Sequence, residues 1–114
     1  MALETLKKRA DFLTINTKGQ KWVAQGMIVQ VMPNGLDRIR VGYTVSKRTD
    51  KSSVKRNRIK RRLRAVAAQI IPAYGKDSYD YVLIGRPASA TRPFISLTND
   101  LKWCLEKMGA VRDA

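Results

Sequence analysis

Val54-Lys55-Arg56-Asn57-Arg58-Ile59-Lys60-Arg61-Arg62-Leu63-Arg64 holds seven cations in eleven residues, and no Asp or Glu occurs between Asp50 and Asp77. Within and just beyond it, Ile59, Leu63, Val66, Ala67 and Ile70 recur at three- and four-residue spacing, the period of one face of an α-helix. On a wheel of about 100° per residue, Asn57, Arg61 and Arg64 face away from that apolar stripe. Arg58 and Arg62 lie beside them, while Lys55, Arg56 and Lys60 flank the apolar side. Ser52 or Ser53 supplies an N-cap, and Pro72 with Gly75 ends the helix. One side is thus pinned to a core and the other is densely cationic.

A charged helix face is ordinarily just solvated, but a solvated face mixes signs. Like charges three or four residues apart repel by roughly a few tenths of a kcal/mol per pair. Lys55, Arg56 and Arg58 also crowd the first turn, where the helix dipole disfavours cations. A bound polyanion relieves both, and phosphates would also find the free N–H groups of the helix start. Nucleic acid is the indicated partner.

Composition agrees. The 114-residue chain has a net charge of +14, a pI near 10.5 and an apolar fraction of 44%. That combination suits one folded nucleic-acid-binding domain, residues 1–114, and not a disordered basic tail. No apolar run approaches the roughly 18 residues of a membrane span, so no membrane partner is expected. Met1-Ala2-Leu3-Glu4 carries no apolar signal region, and the lone Cys104 precludes an internal disulfide; both point to the cytoplasm. Without His, the chain has no imidazole base or His metal ligand. The carboxylates are scattered; Asp77 and Asp80, the closest pair, read as loop and edge charges. No catalytic residue and no metal ligand is assigned, so binding is the better class.

Along the chain, Leu3, Leu6, Ala10 and Leu13 predict a short amphipathic first helix carrying Lys7, Lys8 and Arg9. Phe12, at the border of the stripe, fits equally a core aromatic or a stacking platform for an unpaired base. Thr17 to Lys21 reads as a loop. Trp22 to Met32 reads as extended with a bulge or break at Gly26, Met27, Val29 and Val31 facing opposite to Ile28, Gln30 and Met32. Pro33-Asn34-Gly35-Leu36-Asp37 is a turn, so an antiparallel pairing with Arg38–Ser46 is predicted. In that strand Ile39, Val41, Tyr43 and Val45 point inward. Tyr79–Ile84 is nearly continuously apolar, as in a sheet interior, and should run parallel to Arg38–Ser46. Arg86 follows at its mouth. Pro93 opens a last helix with a Leu97, Leu101, Cys104, Leu105, Met108 stripe, making Cys104 a core thiol. Trp22 and Trp103 fit a core role.

Val41-Gly42-Tyr43-Thr44-Val45-Ser46-Lys47-Arg48, followed by Val54 to Arg64, resembles the protein subunit of bacterial ribonuclease P. That family's signature is an Arg-Asn-Arg core followed by a Lys-Arg pair, about eight to ten residues after a strand ending in Ser-Lys-Lys or Ser-Lys-Arg. The likeness runs from Arg9-Ala10-Asp11-Phe12 through Gly85-Arg86, and more loosely through the last helix. It implies an α+β fold, a single α-β-β-β-α-β-α domain with a four-stranded mixed sheet and helices packed on it (ribosomal protein S5 domain 2-like). It also implies a left-handed strand–helix–strand crossover, against the general right-handed rule.

The resemblance further implies binding to the catalytic RNA of ribonuclease P and to the 5′ leader of precursor tRNA, whose endonucleolytic removal the RNA performs with Mg2+. The protein alone is expected to hold no cofactor and to be monomeric without RNA. Carried over by position, Arg48, Lys55, Arg56, Asn57, Arg58, Lys60, Arg61, Arg62 and Arg64 look like the RNA-subunit surface. Phe12, Gln30, Ser46, Lys47 and Arg86 look like the leader cleft. Two positions depart from the family, which often has aromatics where Asn16 and Gln30 stand; a weaker or more polar leader contact follows. The rival readings are a small ribosomal or general RNA-binding protein, a nucleoid protein, and a free-standing nuclease.

Overall fold

The computed structural model describes residues 3–112; Met1 and Ala2, part of the start read for a signal region, lie outside the described residues. The elements are β1 (Glu4–Thr5), α1 (Arg9–Lys18), β2 (Gln20–Val23), β3 (Met27–Pro33), β4 (Arg40–Thr44), α2 (Ser53–Tyr74), β5 (Tyr79–Gly85), a 3-10 turn (Pro87–Ala90) and α3 (Phe94–Lys107). The strands form one mixed sheet in the order β1-β4-β5-β3-β2. Helix α1 lies on one face of it, and α2 and α3 on the other. The α+β architecture stands, with five strands where four were expected.

The basic stretch is helical as its period requires. Ile59, Leu63, Val66, Ala67, Ile70 and Ile71 of α2 are buried beside Leu97, Leu101, Cys104 and Leu105 of α3. Ser52 is the N-cap, its Oγ accepting from the Lys55 N–H at 3.3 Å. Pro72 does not stop the helix, which runs two residues further to Tyr74. The Gly75 N–H closes the end by donating to the Ile71 carbonyl at 2.8 Å. Burial and the nearby Asp100 charge push the Cys104 thiol up to about 12, so it stays protonated and inert at neutral pH.

The expected hairpin between β3 and β4 does not form. Strand β5 runs between them, antiparallel to β3 and, as predicted, parallel to β4. Tyr81, Val82 and Leu83 are each no more than 1% exposed, so β5 needs cover on both faces and takes the centre. The Asn34-Gly35 turn therefore spans the start of β5: Gly35 adopts φ +68°, and the Asn34 N–H donates to the Ser78 carbonyl at 2.9 Å. The true hairpin is β2–β3, turning at the predicted Gly26 break. Trp22 and Trp103 are not core residues; they are 38% and 43% exposed and pack edge to face at 6.0 Å.

The chain start also differs. Glu4 and Thr5 pair in parallel with Arg40 and Val41, so the helix begins at Arg9, and Leu13 points out at 52% exposure. The three- and four-residue spacing of Leu3, Leu6, Ala10 and Leu13 straddled a strand and a helix. The apolar contacts of α1 with the sheet come from Phe12 and Ile15, which pack with Leu6 and Val82. Helix α1 continues through Thr17 and Lys18, leaving Gly19 alone where a five-residue loop was expected.

Asp80 is not an edge charge. It is 3% exposed at the centre of the sheet, where Arg40 reaches it with Nη2 at 2.6 Å and Nε at 2.8 Å, and Asn34 Nδ2 adds a bond at 2.9 Å. Removing one partner of a buried pair strands the other's charge. Asp80→Ala is expected to lower unfolding free energy by about 1–3 kcal/mol in urea titrations, since Arg40 is part-exposed and keeps Asp11 at 3.7 Å. The double variant Arg40→Met/Asp80→Leu should recover most of that loss.

Candidate nucleic-acid interface

The exposed side of α2 carries Lys55, Asn57, Arg58, Arg61 and Arg64, with no acidic residue in the first turn. Asp50, just before it, is used locally: its Oδ1 accepts from the Ser52 N–H at 2.9 Å. Ser46, Lys47 and Arg48 are exposed in the turn after β4, where the Ser46 carbonyl accepts from the Thr49 N–H at 3.1 Å. The cationic face therefore continues from this turn into the helix.

Two of its arginines serve the fold. Arg56 donates through Nη1 to the carbonyls of Asp50 and Lys51 at 2.8 and 2.9 Å, stapling the connection to the helix start. Arg62 donates to the carbonyls of Ser89 and Arg92, tying α2 to the segment that opens α3. Both guanidinium forks point into protein, a feature that charge periodicity does not register.

Beside this face, α1 and the sheet enclose a groove of about 530 Å³. Phe12, Leu13 and Asn16 form one wall, Gln30, Val82 and Ile84 the floor, and Lys7, Arg9 and Lys60 reach its margin. Pairing of β1 with β4 ends at Thr5 and Val41, so the groove opens over the outer edge of β4 at Tyr43, Thr44 and Val45. There Arg64 lies over the Tyr43 ring, 5.2 Å from its centroid. Burial raises the Tyr43 hydroxyl pKa, with Arg64 partly opposing it.

Phe12 reaches the sheet because residue 42 is glycine. A Cβ on Gly42 would stand 2.6 Å from two Phe12 ring carbons, so the ring rests against the β4 main chain. Behind it, Gln30 donates through Nε2 to Asn16 Oδ1 at 2.9 Å.

The groove thus unites Phe12 and Gln30 of the sequence-derived leader set. Ser46 and Lys47 lie in the turn just beyond the open end of β4. Arg86 is separate, its Nη1 donating to the Ala24 carbonyl at 2.6 Å. Lys60, assigned to the RNA-subunit surface, also lines the groove. Tyr43 was missed as a groove residue because alternation marked it only as inward-facing. Asp77 and Asp80 form no free dyad: Asp77 pairs with Arg112 at 3.1 Å and Asp80 with Arg40. Among the described residues, no group of three or more His, Cys, Asp or Glu is placed to hold a metal ion.

A cationic helix face beside a groove with an aromatic wall, an amide-bearing floor and a basic margin suits phosphate backbone and unpaired bases. The class is an RNA-binding α+β domain. Comparison with known proteins narrows it. The ribonuclease P family model matches residues 2–109. The chain is 44% identical to the ribonuclease P protein component of Paramagnetospirillum magneticum, covering 96% of this chain and 86% of the relative. It is 42% identical to that of Ruegeria pomeroyi, over 95% and 88%. The Staphylococcus aureus RNase P protein superposes with a TM-score of 0.79 at 26% identity, covering 97% of this chain and all of that one. The Thermotoga maritima RNase P protein gives 0.75 at 25%, over 92% and 94%.

The chain belongs to the ribonuclease P protein family. Its role is that of the protein subunit of ribonuclease P, partnered with the ribonuclease P RNA in tRNA 5′ processing.

The side-chain geometry separates two kinds of arginine. Arg61→Ala should weaken RNA binding and leave the urea midpoint unchanged, whereas Arg62→Ala should lower the midpoint by about 1–3 kcal/mol of stability, as buried acceptors lose their donor. Gly42→Ala should displace the Phe12 ring at a similar cost of about 1–3 kcal/mol, read as a lower midpoint with shifted Phe12 ring resonances in NMR spectra.

Proposed function

We propose that the exposed face of α2 binds the catalytic RNA and the adjoining groove takes the single-stranded 5′ leader of precursor tRNA. The observation that carries this reading is contiguity: Lys60 belongs to the basic helix and also lines the groove that holds Phe12. A strand emerging from RNA docked on α2 therefore meets a stacking ring without leaving cationic surface. Lys55, Asn57, Arg58, Arg61 and Arg64 contact the RNA subunit, with Lys47 and Arg48 extending that surface. Arg56 and Arg62 hold the helix in place, and Arg86 holds the β2–β3 hairpin.

In this reading the protein screens phosphate repulsion between substrate and catalytic RNA, and its grip on the leader favours precursor over mature tRNA. The hydrolysis belongs to the RNA, with Mg2+ held chiefly by phosphate oxygens. The protein acts as a monomer in the cytoplasm until it meets RNA. No described helix is long and apolar enough to cross a membrane.

The test is cleavage of a precursor tRNA at low Mg2+ by the catalytic RNA, with and without the protein. Stimulation should require both components and be lost in a folded Lys55→Ala/Arg58→Ala/Arg61→Ala variant. If about six phosphates are neutralised, the log–log salt slope of RNA binding should be roughly −4 to −5, becoming shallower by about 0.9 for each contact removed. Cleavage by the protein alone, or a flat salt response, would overturn the proposal.

A further inference from the structure

Strand β2 closes the sheet at the border away from β4, and the ladder with β3 shows what its outer edge presents. The Ala24 N–H donates to the Met27 carbonyl at 2.9 Å, closing the hairpin. The register runs on with Trp22 opposite Val29 and Gln20 opposite Val31. Antiparallel pairs alternate between bonded and non-bonded, so Trp22 and Gln20 bond to β3, and Lys21 and Val23 turn their N–H and C=O groups outward. Among the described residues, no main-chain bond outside that ladder reaches either one. Natural edge strands are blunted by brevity, charge, bulges or a covering loop. Strand β2 is short and carries Lys21, yet Trp22, Val23 and Trp103 stand exposed around it. Its side chains alternate between the two faces. Trp22 lies on the face of α3, its ring against Trp103. Lys21 and Val23 lie on the face of α1, the helix that Lys18 ends.

We infer that β2 is a docking edge for an extended, acidic segment of a partner protein, which adds to the sheet as a further strand. A peptide main chain offers donors and acceptors in alternation, as Lys21 and Val23 require. A nucleic-acid backbone would satisfy the two N–H groups and leave the two carbonyls facing phosphate. On the α1 face, acidic side chains of the segment meet Lys18 and Lys21. On the α3 face, apolar side chains meet the two indoles, so the segment alternates as β2 does. A second copy of this chain, at net charge +14, would set its own Lys18 and Lys21 against the same pair. Because β2 and the groove edge at β4 are opposite borders of the sheet, the segment is held whether or not the groove is filled.

The probe is a short synthetic peptide alternating Val and Glu, titrated into isotope-labelled protein and into holoenzyme at physiological salt. Binding should shift the Lys21 and Val23 amide resonances, slow their hydrogen exchange and change the indole fluorescence. A Val-Lys peptide should bind at least about five-fold more weakly, since like charges across a strand pair repel, and Lys21→Glu should narrow or reverse that preference. Val23→Pro removes one outward N–H without touching the ladder to β3, a substitution that edge strands tolerate. It leaves the net charge unchanged and should weaken the Val-Glu peptide about five- to ten-fold. Saturating peptide should leave the affinity of holoenzyme for precursor tRNA unchanged. If the peptide does not bind, shifts only α2 resonances, or binds Val23→Pro as tightly as the native chain, the docking edge is refuted. It is refuted equally if single-stranded RNA shifts the β2 amides and displaces the peptide, or if light scattering shows the protein alone doubling in mass through an edge that Val23→Pro blocks.

Discussion

Burial of β5 on both faces is the constraint from which the rest of the molecule follows. Tyr81 and Leu83 face α2 and α3, Val82 faces α1, and all three are buried. Such a strand needs a neighbour on each edge and a helical layer on each face. Strands β3 and β4, adjacent in sequence, are therefore parted, and Asp80 at the start of β5 is carried into the sheet, where Arg40 neutralises it. The single helix α1 leaves its face only partly covered, and the uncovered part of that face is the floor of the groove.

The cations divide by what lies within reach. A guanidinium fork close to unsatisfied carbonyls is drawn to them, because a buried acceptor left unpaired costs more than an exposed charge gains. Arg56, Arg62 and Arg86 meet that condition and serve as staples at the start of α2, at the approach to α3 and at the β2–β3 hairpin. Lys55, Arg58 and Arg61 project from α2 into solvent, and no acidic residue in its first turn offsets their mutual repulsion. The arginines of α2 are thus divided between carbonyl-bound staples and exposed surface charge.

Helix α2, the parallel β4–β5 pairing, the α3 stripe and the buried Cys104 were legible because a long period or a run of apolar residues determines each of them. The β3–β4 pairing was not legible: Asn34-Gly35 reports a turn but not whether another strand enters between its arms. The first helix was misplaced because four apolar residues suit a helical period even where a strand gives way to a helix at Lys7 and Lys8. The cationic face could be read residue by residue in charge, though not in commitment: the carbonyls that engage Arg62 lie 27 and 30 residues away. The groove was legible in Phe12, Gln30 and Asn16, whereas Gly42 beneath the ring became meaningful only in three dimensions.

The edge-to-face pair of Trp22 and Trp103 joins β2, near the start of the chain, to α3, near its end. Strand β2 lies at the opposite border of the sheet from β4, so the two indoles are set apart from the edge where the groove opens. Coupled indoles give an optical signal that depends on their mutual orientation. This pair is a native chromophore for chain closure: its signal arises when the N-terminal hairpin docks on the C-terminal helix. Assembly of the scaffold can be timed by it independently of occupancy at the groove.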